Sequence, residues 1–399
     1  MRIAFFSDTF YPQVNGVSNT LFYLSRYLTD NQVDHVFFAP DYEQEAPEYN
    51  DLPVMRFKGI CPPIYPACRA SYIPLNKAIS LLRAFAPDVV HVATEAGIGL
   101  AGLRAATLLG IPVVMSYHTN FDQYLSHYHL TQYSDALWAY MKWFHSFSAV
   151  TLCPSRDTLH TLDQKGFQNL AVWSRGIDLT RFHPSHFSPE LRKKLGAANK
   201  TVFLYVGRIA AEKGLDVFMR SICTINEIYG EQIQFWFTGD GPYLKDIADL
   251  QMPNVVITGE KRGLELAQIY ASADVFVLPS GTETFGNVLL EAMASGLPVI
   301  CTDSGGITDY TVQNVNARIC RYKDHDSLAQ AMWDLLEPGL RDQIRQGAIQ
   351  TAKSKSWNTI FNGLMQQYEQ AAHNAFPAVR QQAPLPVSFL TRKLYAAVR

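Results

Sequence analysis

Short apolar runs rich in Val, Ile and Phe alternate along this chain with longer stretches of helical period, and the whole series runs twice. Strict alternation of the two kinds implies parallel βαβ units, because a parallel neighbour can be reached only through a crossover connection. In the first half the strand runs are RIAFFSD (2–8), HVFFAP (35–40), DVVHVAT (88–94), PVVMSYH (112–118) and AVTLCPS (149–155). Helices are expected between them over 17–30, 75–86, 98–109, 133–147 and 155–166. The runs are apolar nearly throughout instead of alternating, so helices must cover both faces of the sheet. The second half starts again with TVFLYVGRI (201–209), IQFWFTG (233–239), NVVITGE (254–260), ADVFVLPS (273–280) and LPVICTD (297–303). The expected fold class is α/β, with two Rossmann-like doubly wound domains.

The segment SRGIDLTRFHPSHFSPELRKKLG (174–196), interrupted by Pro184 and Pro189, reads as the linker between a first domain over 1–178 and a second over 196–355. A helix near 356–373 and a tail follow, and segment 356–399 is expected to join the first domain. The tail FPAVRQQAPLPVSFLTRKLYAAVR (376–399) carries four basic residues and no acidic one, with Val387, Leu390, Leu394 and Val398 on one helical face. Packing on the first domain and lying on a membrane surface both fit that pattern. A length of 399 residues with 48% hydrophobic side chains gives ample core for two domains. A net charge of -2 without a Lys/Arg block argues against nucleic acid as a partner. Cysteines at 61, 68, 153, 223, 301 and 320 form no CxxC pair, against a zinc site or a disulfide framework. Asp8 interrupts the N-terminus too early for a signal peptide, and no eighteen-residue apolar run exists, so the expected place is the cytoplasm.

Ligands of open parallel sheets bind at the carboxyl ends of the strands. After the first strand, Asn15 and Gly16 precede a helix and offer either a plain turn or N–H groups for a phosphate. No GxGxxG follows, which weighs against a nicotinamide oxidoreductase. The loop VGRIAAEKG (206–214) places Arg208 and Lys213 five residues apart at a strand end. They read either as solvated surface charges or as a diphosphate clamp, the guanidinium giving a fork of donors and the ammonium a point charge. GDGP (239–242) lacks the spacing of a phosphate loop and reads as a turn, with Asp240 a helix cap or a ligand-side group. His118 ends the strand PVVMSYH, where a structural role competes with a catalytic one, and His91 reads as structural. Tyr124, Tyr128, Tyr133, Trp138, Tyr140, Trp143 and Phe144 are more than one helix face can bury, so some should line an apolar cleft.

The stretch PSGTETFGNVLLEAMASGLPVI (279–300) says most. A strand ends at Ser280, GTETFG turns, and a helix starts near Gly286 whose first N–H groups, from Phe285, Gly286 and Asn287, suit an anion. Glu283 and Glu291 lie eight residues apart, about 12 Å along a helix, roughly the reach from ribose to sugar in a nucleotide diphosphate sugar. Each carboxylate can accept both hydrogen bonds of a vicinal diol. The alternative is a helix-start charge at Glu283 and an ion pair of Glu291 with a buried Arg.

Together the NG loop, His118, Arg208, Lys213 and the pair Glu283 and Glu291 followed by ASGLPVI resemble the retaining glycosyltransferases of family four, over essentially residues 1–370. Within that family VVMSYHT and GIDLTRFHP look most like enzymes that glycosylate lipids, phosphatidylinositol mannosyltransferases and sulfoquinovosyltransferase among them. The resemblance implies the GT-B architecture, two facing Rossmann-like domains with the donor in the cleft between them. It implies a nucleotide diphosphate sugar, of the UDP-glucose or GDP-mannose type, as substrate, and no metal or other cofactor. By the same likeness Gly16 lets the first loop approach the donor phosphate, with Asn15, Tyr124 and Tyr128 on the acceptor side. Arg208 and Lys213 neutralise the departing diphosphate, and His118 contacts the sugar near its reacting centre. Glu283 holds the sugar hydroxyls, the backbone of Thr284, Phe285, Gly286 and Asn287 meets sugar and phosphate, and Glu291 takes the ribose diol. GGITD (305–309) departs from the pattern, with Asp309 where relatives often have Glu. The six basic and two acidic residues between Leu52 and Arg104, with the basic tail, suggest a first domain resting on an anionic membrane, peripheral on its inner face, and a lipid acceptor. Transfer to a soluble sugar or glycan is the alternative, and a non-catalytic nucleotide-sugar-binding protein is a further one.

Overall fold

A computed structural model describes residues 1–13, 15–42, 51–60, 69–118, 134–249 and 251–373. Its first strands, in chain order, are β1 (Arg2–Phe6), β2 (Asp34–Pro40), β3 (Val54–Phe57), β4 (Gly59–Ile60), β5 (Ala70–Ser71), β6 (Val89–Val92), β7 (Val113–Ser116), β8 (Val150–Cys153) and β9 (Leu170–Val172). Seven of them form a parallel sheet in the order β3-β2-β1-β6-β7-β8-β9, and β4 with β5 makes a separate antiparallel hairpin. The apolar runs account for the centre of the sheet. Phe5 stacks on Phe37 with ring centroids 4.3 Å apart, and on the neighbouring pair of positions Phe6 meets Phe38 at 4.6 Å. Adjacent residues of one strand thus bury on opposite faces, as a sheet covered on both sides requires.

The second series gives β10 (Thr201–Val206), β11 (Ile233–Thr238), β12 (Val255–Gly259), β13 (Val275–Leu278), β14 (Val299–Thr302) and β15 (Arg318–Cys320), all parallel in the order β12-β11-β10-β13-β14-β15. Trp236, Tyr205 and Tyr270 are its largest buried side chains. Five strands were not expected from the apolar runs: the two-residue hairpin strands β4 and β5, and β3, β9 and β15 of the large sheets. The last three are edge strands of three or four residues, and an edge half exposed to solvent needs no continuous apolar run.

By their contacts Met1–Cys153, Leu159–Trp173 and the residues from Phe361 form one unit, and Pro154–Thr158 with Ser174–Ile360 form the other. From Phe361 the terminal helix belongs to the first unit. The Tyr27 hydroxyl donates to Asn362 Oδ1 at 2.5 Å, and Tyr368 bonds His91, whose other ring nitrogen meets Ser116. His91 is therefore structural. Residues 376–399 lie outside the described residues.

The segment 174–196 differs from the linker it was expected to be, because it is packed into the second unit. Ile177 and Phe182 are core residues there. Pro189 does not interrupt but begins a helix, Pro189–Lys194, at the position where a missing N–H costs nothing, and Ser188 caps it through Leu191 N–H at 3.2 Å. Arg192 then clamps the segment to the sheet. One guanidinium nitrogen reaches Ser272 O and Asp274 Oδ2, each at 2.9 Å, and the other donates to Ala197 O and Lys200 O. Removing so many charge-assisted bonds from a half-buried group should cost about 2–3 kcal/mol. Arg192→Ala is therefore expected to lower the urea midpoint of unfolding at an unchanged slope; an unmoved midpoint would show that the clamp adds nothing.

Candidate active site

The order of the second sheet reverses at β10 and β13, which lie side by side while β11 and β12 extend one way and β14 and β15 the other. Loops leaving such a pair diverge and open a crevice at their carboxyl ends. The loop after β10 carries Arg208 and Lys213, and the loop after β13 carries Glu283. The structure brings these three together. Lys213 Nζ donates to Glu283 Oε1 at 2.7 Å, across the two strand ends. Arg208 Nη1 lies 3.6 Å from Oε1 of Glu212, a residue that the sequence reading did not single out. Two cations and two carboxylates therefore occupy one strand-end crevice.

Local sequence builds this cluster. After β10 the chain makes a single 3-10 turn, Ala211–Lys213, and the buried Tyr205 hydroxyl donates to Arg208 O at 2.8 Å. GDGP supports the loop from below. Gly239 has φ +141°, and a Cβ there would sit 1.9 Å from Gly207 O, so only glycine lets the ends of β10 and β11 lie this close. Asp240 Oδ1 accepts the N–H of Gly241 at 2.8 Å, which makes it a turn residue.

The helix after β13 runs Asn287–Ala294, and its start has no side-chain cap. Gly286 before it has φ +80°, and a Cβ would meet Ile307 Cγ2 at 2.5 Å. The turn is held by its carbonyls: Tyr310 Oη donates to Phe285 O at 2.9 Å and Gly286 O at 3.1 Å, while Gly306 N–H donates to Glu283 O at 2.7 Å. With its carbonyls tied inward, the turn of Thr284, Phe285 and Gly286 leads into a helix start whose first N–H groups suit an anion. Asn287 Oδ1 is buried there without a hydrogen-bond partner among the described residues.

Glu291, inside the apolar helix, has a hydrogen-bond partner. Tyr270 Oη donates to its Oε2 at 2.9 Å. Burial pushes the carboxyl up to about 7, while the Tyr270 hydrogen bond and the charge of Arg181 pull the other way. Tyr270 and Arg181 were missed because neither is near Glu291 in sequence. Asp309 is also engaged, its Oδ2 accepting the Arg156 N–H at 2.5 Å.

The first sheet has its own switch point, between β1 and β6. Asp8, just past β1, accepts from Thr94 Oγ1 at 2.6 Å and from Ile98 N–H at 2.7 Å, and so caps the helix Gly97–Leu109. Burial pushes its carboxyl above the ordinary carboxylate range, with these hydrogen bonds opposing. Asn15 caps the helix Gly16–Asp30, its Oδ1 accepting from Val17 N–H at 3.0 Å and Ser18 N–H at 2.9 Å, and Gly16 is exposed at that helix start. His118 is half-buried beyond β7, with its ring 5.8 Å from that of Trp173. Of the aromatic residues, Tyr140 donates to Glu95 O at 2.6 Å and Phe144 is core, whereas Tyr124, Tyr128 and Tyr133 lie outside the described residues.

The family described as Glycosyltransferase Family 4 matches residues 14–181, and that described as Glycosyl transferases group 1 matches 200–338. A GDP-mannose-dependent alpha-mannosyltransferase of Corynebacterium glutamicum is 33% identical over 92% of this chain and 88% of its own. The chain belongs to glycosyltransferase family 4. The sulfoquinovosyl transferase SQD2 of Arabidopsis thaliana is 34% identical over 77% of this chain and 61% of its own. The crystal structure of Anabaena HepE in complex with UDP and glucose superposes with a TM-score of 0.73 at 20% identity, over 92% of this chain and 99% of that one. The fold is thus the GT-B fold of glycosyltransferases.

In this glycosyltransferase Glu291 binds its proton more tightly folded than unfolded, so stability must fall as pH rises from its ordinary 4.5 to about 7. The loss should be about 2–3 kcal/mol. Thermal or urea melts at pH 5 and pH 7.5 should show it in the natural protein and not in Glu291→Gln; equal pH dependence of the two would contradict it.

Proposed function

We propose that this enzyme moves a hexosyl group from a nucleotide diphosphate sugar to a lipid acceptor at a membrane surface, with retention and without a metal ion. The observation that carries the reading is the convergence of Arg208, Lys213 and Glu283 on one switch point beside the open helix start at Gly286. The cations and the helix N–H groups suit a diphosphate and can stabilise it as it departs, the work a divalent ion does elsewhere. In this reading Glu283 holds sugar hydroxyls, Thr284 through Asn287 line sugar and phosphate, and Glu291 takes the ribose diol through the oxygen that Tyr270 leaves free to accept. Gly16 and His118, at strand ends of the first sheet, serve the reacting sugar. The acceptor oxygen attacks the anomeric carbon on the face from which the phosphate oxygen leaves, and its proton passes to that oxygen. The new C–O bond then has the configuration of the old one.

A lipid acceptor is supported by the relatives' names and by the β4–β5 hairpin. Ile60 pairs with Ala70, and Lys58 and Tyr72 beyond them point the same way. All four are exposed, Ile60 at 74% and Tyr72 at 62%. From Asp51 to Asp88 the intervening sequence has five basic residues and no acidic one. An exposed apolar and basic face suits an anionic lipid surface. No described helix is long and apolar enough to cross a membrane.

The test is an assay with UDP-glucose and GDP-mannose on liposomes of acidic phospholipid and diacylglycerol, with EDTA present. One donor should give a glycolipid whose anomeric proton coupling matches the donor's, and Lys213→Ala and Glu291→Ala should each cut turnover about 100-fold or more while remaining folded by circular dichroism. An inverted anomer, abolition by EDTA, or transfer only to soluble sugars would each contradict the corresponding part.

A further inference from the structure

Glu212 is the member of the cluster for which the donor reading has no use, since a second acidic group beside a diphosphate should repel it. Its geometry differs from that of a residue that builds a loop. The turn Ala211–Lys213 is held by its backbone, with Lys213 N–H donating to Ala210 O at 3.1 Å and Thr282 Oγ1 within 3.5 Å of Glu212 O. The carboxylate contributes no such bond. Its Oε1 faces Arg208 Nη1 at 3.6 Å, beyond hydrogen-bond length, and its Oε2 is buried with no hydrogen-bond partner among the described residues. It is held by charge alone. Arg208 is 45% exposed and Glu212 29%, so the pair is one that a better anion can replace.

We infer that Glu212 is an internal competitor for the diphosphate: its carboxylate occupies Arg208 in the empty site and gives the guanidinium up when the donor binds. Glu283 stands in the same relation to Lys213, but it is bonded at 2.7 Å and has its own task at the sugar, so Glu212 is the group whose role is exchange. A competitor of this kind keeps the crevice neutral when empty. It also helps expel the nucleoside diphosphate, because the guanidinium has somewhere to return. Glu212 is thus a positioning residue that acts through Arg208, and the inference rests on the donor reading above.

The experiment is calorimetric titration of UDP and of GDP into the natural enzyme, Glu212→Gln, Arg208→Ala and the double variant, at fixed ionic strength. For whichever diphosphate binds the natural enzyme, Glu212→Gln should bind it about five- to tenfold more tightly, which is the size of one partly screened charge contact. Arg208→Ala should weaken it, and in the double variant the gain from Gln should vanish. In the transfer assay Glu212→Gln should lower the donor KM and should not raise kcat, whereas a residue that merely props the loop would raise KM on removal. Its melting temperature should move by less than about 3 °C. Equal or weaker binding by Glu212→Gln, or a gain that persists without Arg208, overturns the inference while leaving the donor reading intact. Unchanged affinity in Arg208→Ala overturns the donor reading and this inference with it.

Discussion

The 2.7 Å bond from Lys213 to Glu283 ties together the ends of β10 and β13, the two strands at which the second sheet changes direction. Everything in the candidate site is arranged around it. Gly214, with φ +71°, lets the loop after β10 lie against the end of β13, since a Cβ there would meet Pro279 O at 2.5 Å. Arg208 and Glu212 extend the bond into an alternating set of charges, and Tyr205 fills the space beneath. Four partly buried charges would be costly singly, but as two pairs they are compensated. On the proposed reading, a diphosphate enters this crevice by an exchange of partners.

The two sheets treat their switch points differently. In the first unit Asp8 reaches the helix Gly97–Leu109 and fills its start with a carboxylate of the protein's own. In the second unit the helix Asn287–Ala294 has no side-chain cap, while the carbonyls of the turn before it are bound by Tyr310 and Gly306. One helix start is closed by a carboxylate of the chain and the other carries no side-chain cap. A helix start left open beside two cations is where a diphosphate gains most.

Much of this could be read from the residues. The central strands are continuous apolar runs because both faces are buried, and Arg208, Lys213, Glu283 and Glu291 stand out as charges at strand ends or inside an apolar helix. What escaped had no local signal. β3, β9 and β15 are short edges, and Pro189 looked like a breaker because its place at the first position of a helix depends on Ser188 and on Arg192 reaching Asp274. Glu212 was hidden by its neighbour Lys213, whose charge fitted the expected clamp. Asp8, Tyr270 and Arg181 act on residues far away in sequence, such as Thr94 and Glu291, so only the fold reveals them. Family resemblance suggested the site residues, and the structure added what the charged groups among them do with one another.

The most direct measurement is a thermal-shift titration with UDP, GDP and ADP in the presence of EDTA, on the natural enzyme and on Lys213→Ala. The account predicts that one of the three diphosphates raises the melting temperature of the natural enzyme in a saturable way, by several degrees at 100 times its dissociation constant, and that Lys213→Ala loses the effect. If none of the three stabilises the enzyme without a divalent ion, or if Lys213→Ala responds as fully, the crevice at β10 and β13 is not the diphosphate site.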